Sequence, residues 1–410
     1  MAEHPEAGRR VLVLCFDPIT EAMAGPAIRA WQLALVLAAE HTVTLLGTAG
    51  ATRRHDAMTV CSLTDGTVSL GALVEQAEAV FAPTSAVRRH PEVRAATVPV
   101  AIDLSIPTHL ENLERGGRAV DAWHRDVAHQ VAVVNEDLAR GDFFVCASER
   151  QRDFWLGSLS QAGRVNPATF EDDPALRTLI DVVPFGVPPA APQAAPGTLR
   201  RRFPAIGPAD PVLVWGGGVY DWFDPVTVVR AVDRLRADVP TLRLVFLGMT
   251  NPHPDIPEMA RARELRAVVA ELGLEGSHVF FNEQWVPYDA WGATLLDADI
   301  AVSTHFDALE TRFSFRTRVL DYIWTRRPMV LTGGDALSDL VGAHGVGVAV
   351  HPGDVGAVAD AVARLLADPP PAERFDALVA DLQWPAVARP LAAWAAAGRG
   401  APDRPPAPPR

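Results

Sequence analysis

Cysteine is scarce in this chain of 410 residues: Cys15, Cys61 and Cys146 are far apart and odd in number. That excludes a disulfide framework and a cysteine-rich zinc site, and it points to a reducing compartment. Basic charge is also short. Against 50 Asp and Glu stand 37 Lys and Arg, so the formal net charge is −13. A nucleic-acid surface would need strong clustering of the basic residues, and the chain offers only short groups, among them Arg312, Arg316 and Arg318. Long apolar runs are missing too. None approaches the roughly 20 residues of a membrane span, and the opening MAEHPEAGRR is followed only by VLVLCF, not by the apolar core of a signal peptide. The expectation is a soluble, cytoplasmic protein with no nucleic-acid partner and no membrane span.

What the chain does have is an ordinary globular composition, 49% hydrophobic and 21% charged, and length enough for two cores. Short apolar runs alternate with helical patterns: VLVLCF at 11–16, a helix over 26–39, TVTLL at 42–46, TVPVAID at 97–103, a polar helix over 121–138, and DFFVCAS at 142–148. Runs apolar on both faces and spaced by helices predict parallel strands in an α/β layer. The segment VVPFGVPPAAPQAAPG at 182–197 reads as a linker, after which the βα rhythm restarts. PVLVWGGG at 211–218, RLVFLG at 243–248, HVFFN at 278–282, DIAVST at 299–304 and VGVAV at 347–351 read as strands; Asp224 and Asp354 open helices. Two doubly wound domains are expected, with ligands beyond the carboxyl ends of their strands. The proline-containing helix at 384–398 fits the second domain poorly, and the tail at 399–410 reads as disordered.

Four loops follow strands and carry candidate chemistry. In DPITEAMAGPAIRAWQ, Gly25 permits close backbone approach, Pro26 suits a first helical turn and Arg29 follows on that turn. The loop is either a phosphate cradle or plain Gly-Pro punctuation. In DLSIPTHLENLE, Asp103 and His109 either position sugar hydroxyls or cap a turn and stand exposed. Gly216, Gly217 and Gly218 end a strand and admit a ligand close to the backbone, but the run is neither G-x-G-x-x-G nor a P-loop. Trp215 and Trp222 beside it read as packing.

The fourth loop is ETRFSFRTRVLDYIW at 310–324. A helix starting near Arg316 would bury Val319, Leu320, Ile323 and Trp324. The amides of Phe315 to Arg318, including Thr317, would then leave its amino end, where anions are favoured. Arg316 and Arg318 add guanidinium donors that match phosphate, and Asp321 suits ribose hydroxyls. The alternative is surface pairing of Arg312 and Arg318 with Glu310 and Asp321.

Across these segments the chain resembles the GT-B retaining glycosyltransferases of family 4. VLVLCFDPITEAMAGPAIRAWQLALVLAAEHTVTLL looks like their amino-terminal start; AIDLSIPTHLENLE, ASERQRDFWLG, VVPFGV, LVWGGG, VFLG and FSFRTRVLDYIWTRRPMVLTGGD look like later segments. The resemblance implies two Rossmann-like domains facing across a cleft. An amino-terminal acceptor-side domain at 1–186 would carry the 384–398 helix packed back on it; a linker would span 187–210, and a nucleotide-sugar-binding domain 211–383.

The resemblance also implies a nucleotide-sugar donor, a small-molecule or glycan acceptor, no cofactor and no metal. Asp321 falls where the second glutamate of the E-x7-E motif binds ribose, the amides of Phe315 to Arg318 where the diphosphate is held, and Ala24-Gly25 on the amino-terminal Gly-Gly loop. The chain departs from the pattern at Phe313, which replaces the first motif glutamate and leaves Glu310 as its possible substitute. Tyr220-Asp221-Trp222-Phe223 replace the usual Arg and Lys, and Ser105-Ile106 follow Asp103-Leu104. Arg316 and Arg318 then become the expected diphosphate clamps, with Asp103 and His109 positioning sugar. The alternatives are a nucleotide-sugar epimerase on the same fold and a non-catalytic nucleotide-sugar binder.

Overall fold

The computed structural model describes residues 8–114, 119–195, 197–253 and 256–404. They divide into two compact units. The first holds residues up to 109, 120–185 and the segment from 384; the second holds 110–119 and 186–383.

The first unit is built on seven parallel strands: β1 (Arg10–Cys15), β2 (Thr42–Gly47), β3 (Thr59–Ser62), β4 (Ala79–Pro83), β5 (Val100–Asp103), β6 (Phe143–Cys146) and β7 (Ile180–Val182). Their order is β3-β2-β1-β4-β5-β6-β7, so the winding reverses between β1 and β4. Val11 to Cys15 are all buried, as a strand covered on both faces requires. β3 and β4 have no counterpart in the sequence reading; TVCS is half-exposed, and AVFAP has a single β-branched residue and ends in proline. Val182 closes β7 instead of opening the linker.

The terminal segment belongs to the first unit. The single helix expected over 384–398 is two, Trp384–Val387 and Arg389–Ala397, with Pro390 in the first turn of the second, where a missing amide costs nothing. They pack against the Gly25–Leu37 helix, and Trp394 stacks on Phe143 with centroids 5.9 Å apart. Residues 399–404 are docked, contrary to the disorder expected over 399–410. Arg399 pairs with Asp172 at 2.8 Å, and Asp403 accepts from Arg164 at 2.7 and 3.0 Å. Residues 405–410 lie outside the described residues.

The second unit repeats the scheme with β8 (Val212–Gly218), β9 (Arg243–Gly248), β10 (Val279–Phe281), β11 (Ile300–Ser303), β12 (Met329–Thr332) and β13 (Gly347–Val350), in the order β10-β9-β8-β11-β12-β13. Leu213, Trp215, Phe246, Val302 and Val330 lie in its core. Asp224 and Asp354 each accept an amide of the helix that follows. Both sheets are doubly wound and parallel, the α/β architecture of two Rossmann-like units. Among the described residues no helix is long and apolar enough to cross a membrane.

Candidate functional site

In the second unit the glycine run closes β8. Its pairing with β9 shifts register between Trp215 and Gly218, and Gly217 takes φ +91°, a conformation that side chains resist. Gly216 is required by close approach: a Cβ there would meet the Tyr322 ring at 3.0 Å. Tyr322 fixes the strand end, its hydroxyl accepting from the Gly216 amide at 2.8 Å and donating to the Val302 carbonyl at 3.2 Å.

The helix that bears Tyr322 runs Arg318–Trp324 and has seven residues. It starts two residues later than the sequence predicts, so Phe315 and Thr317 precede it. Thr317 is the N-cap and makes no side-chain capping bond. The buried stripe is Val319, Leu320, Tyr322 and Ile323; Trp324 is half-buried and donates to the Ala190 carbonyl at 2.9 Å. A short helix, Leu309–Phe313, replaces the expected loop and buries Glu310.

The two candidate arginines have different environments. Arg316 is 6% exposed and donates to both oxygens of Glu310, itself 1% exposed, at 3.0 and 2.5 Å. The fork-to-fork geometry neutralises both groups. Arg316 thus commits both Nη groups to the Glu310 carboxylate and keeps only its Nε buried without an acceptor. Arg318 has no such partner. Its Nη2 donates to the Gly218 carbonyl at 2.7 Å, while Nη1 is buried without an acceptor. Its guanidinium lies 4.1 Å from the Phe223 centroid and 4.8 Å from that of Trp215. Burial lowers its pKa to about 10, which leaves it charged at neutral pH. Ring faces offset part of the desolvation cost, and an anion at the free Nη1 would supply the missing acceptor.

Asp321 follows one turn on. Burial pushes its carboxyl up to about 7, opposed by a hydrogen bond with Trp291 and by the charge of Arg318. Sequence reasoning missed three features nearby: the Tyr322 brace, the buried contact of His305 Nε2 with Asp335 at 3.5 Å, and a cavity of about 100 Å³ beside Gly218, Tyr220, Gly248, Asn251 and Trp285.

In the first unit a cavity of about 500 Å³ opens over the carboxyl ends of β1, β4 and β5, where the winding reverses. Pro26, Arg29 and Asp103 line it together. Arg29 is 2% exposed and spends its donors internally: on Asp103 at 2.5 and 3.2 Å, on the Val183 carbonyl at 2.8 Å and on the Pro184 carbonyl at 3.1 Å. It braces the cavity wall, with four of its five N–H donors spent on these internal acceptors. Asp103 Oδ1 also accepts from the Ser105 amide at 3.0 Å. Gly25 opens the Gly25–Leu37 helix, and its N-cap, Ala24, offers no side-chain acceptor. His109 is outside the cavity lining, stacked on Phe154 at 5.7 Å, and burial lowers its pKa so that it is neutral near pH 7. Among the described residues no cluster of three or more His, Cys, Asp or Glu is placed to hold a metal ion.

Residues 210–368 match the family of glycosyl transferases group 1. No curated protein sequence matches the chain. Solved structures similar to it include sucrose-phosphate synthase from Thermosynechococcus elongatus, with TM-score 0.65 and 17% identity over 93% of this chain and 97% of that one. An α,α-trehalose 6-phosphate synthase from Burkholderia multivorans has TM-score 0.65 and 14% identity, covering 95% and 96% of the two chains. Anabaena HepE, solved in complex with UDP-glucose, has TM-score 0.58 and 15% identity, covering 93% and 95%. The fold is GT-B, and the stretch that matches the glycosyl transferases group 1 model lies within the second unit.

Proposed function

We propose that the protein moves a glycosyl group from a nucleoside diphosphate sugar to a small-molecule or glycan acceptor in the cytoplasm, with retention and without a metal. The observation that carries this reading is Arg318: a buried cation with an unspent donor, set against a glycine strand end in the domain that matches the glycosyltransferase family. As the glycosidic bond breaks, charge builds on the leaving diphosphate. A fixed guanidinium in a desolvated site stabilises that charge without reorganising. Gly217 and Gly218 let the phosphates approach the backbone, and ionised Asp321 accepts ribose hydroxyls. In the first unit the braced Asp103 and Ser105 form one wall of the acceptor cavity.

The locked Glu310–Arg316 pair favours one alternative, a nucleotide-sugar binder without transfer activity, because it withholds an acid from the donor sugar. Thermal shift with UDP, dTDP, GDP and ADP tests binding by mass action. Product analysis with the matching sugar nucleotides separates transfer or slow hydrolysis from epimerisation and from no turnover. If no nucleotide stabilises the protein, or Arg318→Ala binds nucleotide as the wild type does, the anion site is wrong.

A further inference from the structure

The cavity of the first unit has one rim that the reading above does not use. After β4 the chain turns at Ser85, whose φ of +80° is uncommon for a side-chain-bearing residue. Asp137, fully buried on the facing Val120–Arg140 helix, holds the turn by accepting the Ser85 amide at 2.7 Å. The turn leads into Ala86–Arg89 and brings Arg88 and Arg89 to the cavity, with His129 and Gln130 from the facing helix.

These cations are under-compensated. Arg88 bonds Glu136, but that carboxylate is shared with Arg94 at 3.0 Å, and Arg88 Nε is buried without an acceptor. Among the described residues Arg89 has no carboxylate or carbonyl acceptor for its side chain, only the Phe16 ring 4.9 Å from its guanidinium. On the opposite wall Asp103 is neutralised by Arg29, which leaves Asp17 as the other lining acid. One side of the cavity is thus cationic in a chain whose net charge is −13.

We propose that the acceptor is a phosphate-bearing molecule of sugar-phosphate size. Its phosphate would lie against Arg89 and the free Nε of Arg88, and its sugar against the Asp103–Ser105 wall. Guanidinium groups match phosphate oxygens in pairs, and a cavity of about 500 Å³ is in the range of small-molecule sites. The proposal rests on the glycosyl-transfer reading.

The test is calorimetry on the full chain, with UDP present, using glucose 6-phosphate and fructose 6-phosphate against glucose and fructose. At least one sugar phosphate is expected to bind ten times tighter than its neutral sugar. Arg89→Ala, an exposed change that spares the core, should abolish that advantage while leaving stabilisation by UDP intact. Equal binding of phosphorylated and neutral sugars, no binding of either sugar phosphate at millimolar concentration, or an advantage that survives Arg89→Ala overturns the proposal. A loss of UDP stabilisation in Arg89→Ala also overturns it, by assigning the rim to the donor. Failure of the glycosyl-transfer reading shows separately, as wild-type protein that no nucleotide stabilises.

Discussion

Arg318 and Asp321 sit one turn apart, yet burial acts on them in opposite ways. Desolvation disfavours the charged form of each, so the arginine pKa falls to about 10 and the aspartate pKa rises to about 7. Arg318 is still a cation at pH 8, whereas Asp321 changes charge near neutrality. Arg318→Met removes a buried charge without a carboxylate partner, a change that is often neutral or stabilising. The expected outcome is an unfolding temperature no lower than wild type, with UDP affinity reduced tenfold or more by calorimetry. A purely structural arginine would give the reverse. For Asp321 the folded pKa is above its ordinary value of 3.8. Between these values the folded state holds a proton that the unfolded state has lost, so stability falls as pH rises through the window and levels off above about 7. Asp321→Asn removes this term. Its unfolding temperature should gain on wild type progressively from pH 5 to 7 and stay level beyond. Asp137 is also pushed up to about 7 by burial, but it is present in both proteins and cancels in the difference. Nucleotide affinity of the wild type should rise over the same interval, as ionised Asp321 becomes able to accept ribose hydroxyls.

At the scale of elements, the loop between β11 and the Arg318–Trp324 helix is held by charge as well as by apolar contact. Glu310 and Arg316 are both buried, and removing one partner leaves the other's charge uncompensated, at a cost of roughly 3–5 kcal/mol. Glu310→Gln and Arg316→Met should each destabilise the protein on that scale in urea unfolding. The double variant should recover most of the loss; additive losses would show that the pair is not coupled. This pairing was not legible in the sequence. Six positions separate the partners, which is not a spacing that faces side chains on one helix, and a break at Ser314 brings them together. Arg29 and Asp103 are 74 positions apart and meet only because β1 and β5 deliver their loops to the same end of one sheet. The strands were easier to read. VLVLC, RLVFLG and IAVS are apolar on both faces and bounded by helices, so periodicity placed them to within a residue or two. β3 is half-exposed, and β4, AVFAP, has a single β-branched residue and ends in proline, so neither carries the pattern that marks a buried strand. Side-chain chemistry at strand ends thus pointed to the sites, while the partner of each charge followed only from the tertiary fold.

At the scale of the whole molecule, each unit has its own sheet and core, but the first is discontinuous in sequence and is completed only by the segment from Trp384. That segment buries Trp384, Leu391 and Ala395, and its end supplies Asp403 to Arg164, whose side chain is 7% exposed. Truncation after Gln383 would expose the face of the Gly25–Leu37 helix that these residues cover and would strip Arg164 of its carboxylate. The second unit, which ends at Gln383, loses nothing covalently. Its candidate anion site, Arg318 with the β8 glycines, lies wholly within it. Two perturbations should therefore separate in calorimetric unfolding. UDP at 100 times its Kd would stabilise the nucleotide-binding unit by about 2.7 kcal/mol and should move one transition upward. Deletion of 384–410 should lower or abolish the other and leave the UDP-sensitive transition in place. If the truncated chain no longer responds to UDP, the nucleotide site is not confined to the second unit, and the assignment of the diphosphate to Arg318 alone fails.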